Sequence, residues 1–115
     1  MPQVSATTSS VDDATVASGN TPLTCSLFNP PNGVEITEAA YTINGGAKTP
    51  AKINTDGQGF NIPIATPGNY VVGVTVNKIP APVNVVEATA GRTLLLSLYP
   101  ENVSKNGTFT LKVTP

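Results

Sequence analysis

The chain has 115 residues, a length that suits one domain with a real core. Charged residues make up 11% of it and the net charge is -1, with the six basic residues (Lys48, Lys52, Lys78, Arg92, Lys105, Lys112) scattered; phosphate binding needs clustered cations, so nucleic acid is not an expected partner. No apolar run approaches the roughly 20 residues of a membrane span, and the single cysteine, Cys25, excludes both an intrachain disulfide and a cysteine-based zinc framework.

Residues 1–10, MPQVSATTSS, carry Val4 and Ala6 as the only apolar side chains beyond Met1 and Pro2. Such a stretch buries too little to offset its own ordering entropy. It reads as a tail or as an extended arm that orders against a partner, which leaves residues 11–115 as the folded domain. It has neither a basic n-region nor an apolar h-region, so the expectation is a chain made and kept in a cytoplasm.

From Val11 the pattern is strand-like. Val11–Ala17 is interrupted by Asp12 and Asp13, and Ser18-Gly19-Asn20 closes it. Leu23, Cys25 and Leu27 then alternate with Thr24, Ser26 and Phe28, up to the loop Asn29-Pro30-Pro31-Asn32-Gly33. The next strand runs from Val34 to Ile43, and its phase slips between Ile36 and Ala39, which predicts a bulge near Thr37-Glu38. Asn44-Gly45-Gly46 is a hairpin signal, because both central positions of a type I′ turn need positive φ. The return strand, Ala47–Ile53, holds Pro50 and two lysines and belongs at a sheet edge.

After the loop 54–59, Phe60, Ile62 and Ile64 alternate, with Pro63 on the outward phase. The clearest strand follows. Tyr70, Val72, Val74 and Val76 fall on one face, with Val71, Gly73 and Thr75 on the other. Ile79-Pro80-Ala81-Pro82 reads as a stiff crossing. Val83, Val85 and Val86 mark another strand, ended by Ala90-Gly91. Leu94, Leu96 and Leu98 face one way from the next, while Leu95 and Tyr99 make its other face unusually apolar. Phe109, Leu111 and Val113 define the last strand. Eight or nine short strands with frequent turns and no helical periodicity spell an all-β chain, a β-sandwich.

The run Gly68-x-Tyr70-x-Val72 resembles strand F of immunoglobulin-like domains, which carry a Gly-x-Tyr-x-Cys pattern there. Leu23-x-Cys25-x-Leu27 is similar to strand B. The resemblance implies that Cys25, Tyr70 and Val72 are structural core, with Cys25 facing Val72 in place of the usual disulfide. The strand C tryptophan is missing, and Tyr41 or Ile43 is its substitute. Jelly-roll and other sandwich topologies stay open, since the strands after Val83 outnumber what one final immunoglobulin strand needs.

Catalytic equipment is sparse. The chain has no histidine, the usual general base near neutral pH. Cys25 falls in a buried strand, where a thiol is inert packing. Glu35 and Glu38 have the residue types of a glycosidase pair, but two solvated charges at a strand end are the plainer account. Asn54-x-Asp56-Gly57-x-Gly59 offers oxygen ligands as calcium loops do, although it lacks further carboxylates and reads as a turn. Asn102-Val103-Ser104 and Asn106-Gly107-Thr108 match the glycosylation acceptor pattern and also read as turns. No catalytic, cofactor-binding or metal residues are assigned, and no cofactor is expected.

What remains is a binding or structural module. In size, low charge and Thr- and Asn-rich strands the chain resembles bacteriophage capsid decoration (cement) proteins. That resemblance implies a virion protein on the capsid surface, with the major capsid protein as partner and a homo-oligomer, a trimer, as its state. The expected contact residues are Pro2, Gln3, Val4 and Ser5 in the arm and Leu95 and Tyr99 at a subunit interface. The alternative is an immunoglobulin-like adhesive module of a phage tail or bacterial surface protein, binding glycan or protein through its loops.

Overall fold

A computed structural model describes residues 13–81, 83–89, 93–98 and 107–115. Among them lie eleven strands: β1 (Asp13–Ala17), β2 (Leu23–Leu27), β3 (Ile36–Ile43), β4 (Thr49–Pro50), β5 (Lys52–Ile53), β6 (Gly59–Ile62), β7 (Gly68–Val76), β8 (Ile79–Pro80), β9 (Val83–Thr89), β10 (Thr93–Leu98) and β11 (Thr108–Thr114). They form two mixed sheets. The six-stranded sheet runs β1-β11-β7-β3-β4, with β8 paired to the end of β7, and the five-stranded sheet runs β5-β6-β2-β10-β9. Two pairs are parallel, β1 with β11 and β10 with β2.

Alternation explains the layering. Each long strand turns every second side chain inward, so Leu23, Cys25 and Leu27 from β2, Tyr70, Val72, Val74 and Val76 from β7, Leu94 and Leu96 from β10, and Phe109, Leu111 and Val113 from β11 share one core. Among the described residues no polar or charged side chain is buried. Cys25 and Val72 thus belong to the same core from opposite sheets. The Tyr70 hydroxyl donates to the Thr66 carbonyl at 2.6 Å, pinning the approach to β7, and its ring stacks on Tyr41 with centroids 6.0 Å apart.

Local chemistry sets the turns. Asn44 and Gly45 both take positive φ, as the β3–β4 turn requires. The register of β3 against β7 shifts between Ile36 and Glu38, so Thr37 is the extra residue. Its hydroxyl accepts the Lys78 N–H at 2.9 Å. Gly107, at φ +73, is confined: a Cβ there would lie 2.7 Å from the Val74 carbonyl oxygen, so only glycine fits without a shift.

Three expectations are corrected. The return strand Ala47–Ile53 is split: Thr49–Pro50 pairs with β3 in one sheet and Lys52–Ile53 with β6 in the other. Pro50 has no N–H to give, Ala51 makes a last bond to the Ala39 carbonyl, and the chain then changes sheets. Both pieces do sit at sheet edges. Ile79–Pro80 folds back on β7 through Asn77 and Lys78, both at positive φ, before Ala81 turns into the core. The strand count exceeds eight or nine because three strands have two residues each.

Candidate interaction face

The outer face of the six-stranded sheet is a grid of small and hydroxyl side chains. In one cross-strand row Ala40 faces Gly73, which faces Thr108. The row on one side is Thr42, Val71 and Thr110, and the row on the other is Glu38, Thr75 and Pro80. Beyond Val71, Asn69 faces Lys112, which faces Thr15 on β1. Ala40 and Gly73 have almost no side chain, so the row they share is a trough between taller walls. The resulting hollow has a volume of about 360 Å³ and is lined by Glu38, Thr42, Lys48, Thr75 and Thr108 around that floor. A second hollow of about 460 Å³ lies on the far side of Val71, against Thr15, Asn69, Thr110 and Lys112. Val71, 42% exposed, is the ridge between them.

Charge on this face lies at two corners and on β1, where Asp13 stands level with Thr110 in the row of Val71. At one corner, Lys48 Nζ lies 3.9 Å from Glu38 Oε2, both side chains well exposed, so the pair contributes little to stability. At the other corner stands Lys112, exposed. Between the corners, β3, β7 and β11 carry no charge and offer hydroxyl groups or apolar surface.

Of the residues singled out for chemistry, Glu38 lies on this face and the others fall elsewhere. Cys25 is fully buried, and burial pushes its thiol up to about 12, so it stays protonated and unreactive. Glu35 and Glu38 lie in different surroundings. The Glu35 stem lies over Gly57, where a Cβ would come within 2.3 Å of it, whereas Glu38 lines the trough beside Lys48. Around Asp56 the loop is a hydrogen-bonded turn. The Gln58 N–H donates to the Asp56 carboxylate at 2.9 Å, and the Gly57 N–H donates to the Asn54 carbonyl at 3.0 Å. Among the described residues no three His, Cys, Asp or Glu side chains converge, and no helix is long and apolar enough to cross a membrane.

Of the expected contact residues, Leu95 is half-buried on β10, opposite Ser26 of β2. Pro2, Gln3, Val4, Ser5 and Tyr99 lie outside the described residues, as do Asn102, Ser104 and Asn106 of the two acceptor patterns. Sequence reasoning missed the trough. Gly73 and Ala40 are visible as small residues on outward or slipped phases, but nothing local says that they pair. Searches of family models, curated proteins and solved structures returned no match to this chain.

Proposed function

We propose that this chain is a non-catalytic structural module, a phage capsid decoration protein that binds the outer surface of the assembled shell and stabilises it. The observation that carries this reading is the chemistry of the sheet surfaces. The six-stranded sheet presents Thr42, Thr75, Thr108 and Thr110 around Val71, and the five-stranded sheet presents Thr24, Ser26 and Asn61 around Leu95. Faces made mostly of hydroxyl and amide groups dock against protein with few charges to desolvate, and charge is the costly part of burying a polar surface. Those charges stand at the margins, Lys52 and Glu87 on one sheet and Asp13, Glu38 and Lys112 on the other. A protein that binds only the assembled shell stabilises that state by mass action. Residues 2–10 are the proposed arm, reaching a capsid neighbour by strand addition or by draping.

We also infer an immunoglobulin-like topology for the sandwich. The order β11-β7-β3-β4 opposite β5-β6-β2 supports it, with the Tyr70–Thr66 bond at the corner leading into β7. In this reading β9 and β10 are an insertion before the final strand that widens the second sheet beside β2. Quantitative mass spectrometry of purified particles of the virus encoding the chain tests the functional reading. About one copy per major capsid subunit is expected. Absence from particles, or a copy number of a tail component, overturns it in favour of the adhesive module.

A further inference from the structure

The two corners and the centre of the six-stranded sheet's outer face are related in a way that one copy alone does not use. Lys112 lies one strand to one side of β7, level with Asn69. Glu38 lies one strand to the other side, level with Thr75. Neighbouring strands are about 4.8 Å apart and alternate residues about 6.8 Å apart along a strand. On that grid the line from Lys112 to Glu38 crosses β7 midway between Val71 and Gly73.

We propose that this face binds a second copy of the chain in a two-fold symmetric contact. A two-fold axis lying in the face, perpendicular to that line at its midpoint, exchanges the two corners. Lys112 of each copy then meets Glu38 of the other. The same rotation carries Val71 of each copy over the floor between Gly73 and Ala40 of the other. The exposed apolar ridge therefore enters the hollow beside it, twice, which is the self-complementarity an isologous interface requires. Ala40, only 6% exposed, and half-buried Gly73 let the partner's ridge approach close to the backbone. Thr42, Thr75 and Thr108 surround it with hydroxyls that bond across the seam directly or through water.

Charge complementarity selects this occupant over an unrelated peptide. Among the described residues the ion pair of Glu38 is the long surface contact to Lys48, and Lys112 of the second copy adds an opposite charge on a face whose remaining charged position is Asp13 on β1. The grid of about four strands by four rows covers roughly 500 Å² per copy, at the small end of specific interfaces, so the dimer forms reversibly. This contact covers the six-stranded sheet's face and leaves the five-stranded sheet's face and the arm for a capsid. It does not rest on the capsid reading, since an adhesive module with the same face dimerises in the same way.

Sedimentation velocity of the full chain from about 10 µM to 1 mM tests it. A reversible monomer–dimer equilibrium is expected, weakened by added salt. Val71→Asp, Glu38→Lys and Lys112→Glu, all exposed and checked for folding by circular dichroism, should each weaken association about ten-fold or more. The double reversal Glu38→Lys with Lys112→Glu should return it to within about three-fold of the unaltered chain. A monomer throughout the range overturns the proposal, as does a trimer indifferent to Val71→Asp. A double reversal no stronger than the single ones overturns it too.

Discussion

Replacing Tyr70 by Phe removes one oxygen and leaves the shape of the interior unchanged. The ring is buried and stacks on Tyr41, and both features survive the substitution. What goes is the 2.6 Å hydrogen bond to the Thr66 carbonyl. Thr66 is itself exposed, so its carbonyl can turn to water once the hydroxyl has gone. The loss is therefore the net worth of one hydrogen bond, about 1 kcal/mol, and not the larger penalty of an orphaned buried acceptor. With a urea dependence of roughly 1.5 kcal/mol per molar, the unfolding midpoint should fall by about 0.7 M with an unchanged slope. A fall of less than about 0.2 M would mean that the bond does not pin this corner in solution. A loss above about 3 kcal/mol would mean that the carbonyl is trapped away from water.

Three further outcomes follow from the core. Val72→Cys, oxidised and then unfolded in denaturant, should show no free thiol if the proposed immunoglobulin-like register, which sets position 72 against Cys25, holds; two titratable thiols would refute that register. Burial raises the folded-state pKa of Cys25 from the ordinary thiol value of 9.0 to about 12, so its contribution to stability is complete below about pH 9 and is lost as pH climbs towards 12. Tyr70, also raised by burial, adds in the same direction. Urea midpoints measured across that window should fall more steeply for the unaltered chain than for Cys25→Ala, and equal slopes would place the thiol in water. Leu94→Ala should cost about 2–5 kcal/mol, since Leu94 is fully buried and its loss leaves a cavity; a change under about 1 kcal/mol in chemical denaturation would show that β9 and β10 are not integral to the core.

The parts of the fold legible in the sequence are those whose signals are local. Val72, Val74 and Val76 announce a strand by period alone, the slip after Ile36 announces a bulge, and Asn44-Gly45 announces a turn by the φ it needs. The parts that were not legible depend on partners distant in sequence. Ala47–Ile53 looks like one edge strand, and only the competing pull of β3 and β6 divides it at Ala51. Asn77-Lys78 carries half a turn signal, because lysine at positive φ is unfavourable by itself and is held here by the Thr37 hydroxyl. The trough is harder still. Ala40 and Gly73 are 33 positions apart and become a floor only when β3 and β7 pair in this register. The β9–β10 hairpin shows the same limit: its leucines announce burial, while its place beside β2, parallel to it, is a matter of topology.

The central claim is that this sandwich recognises an assembled surface. Cosedimentation of the chain with intact shells, in parallel with unassembled major capsid protein of the same virus, tests it most directly. The account predicts saturable binding to shells, near one chain per capsid subunit, little binding to free subunits, and loss of shell binding on deleting residues 1–10 with the fold intact. Equal binding to free subunits, or none to shells, would contradict it.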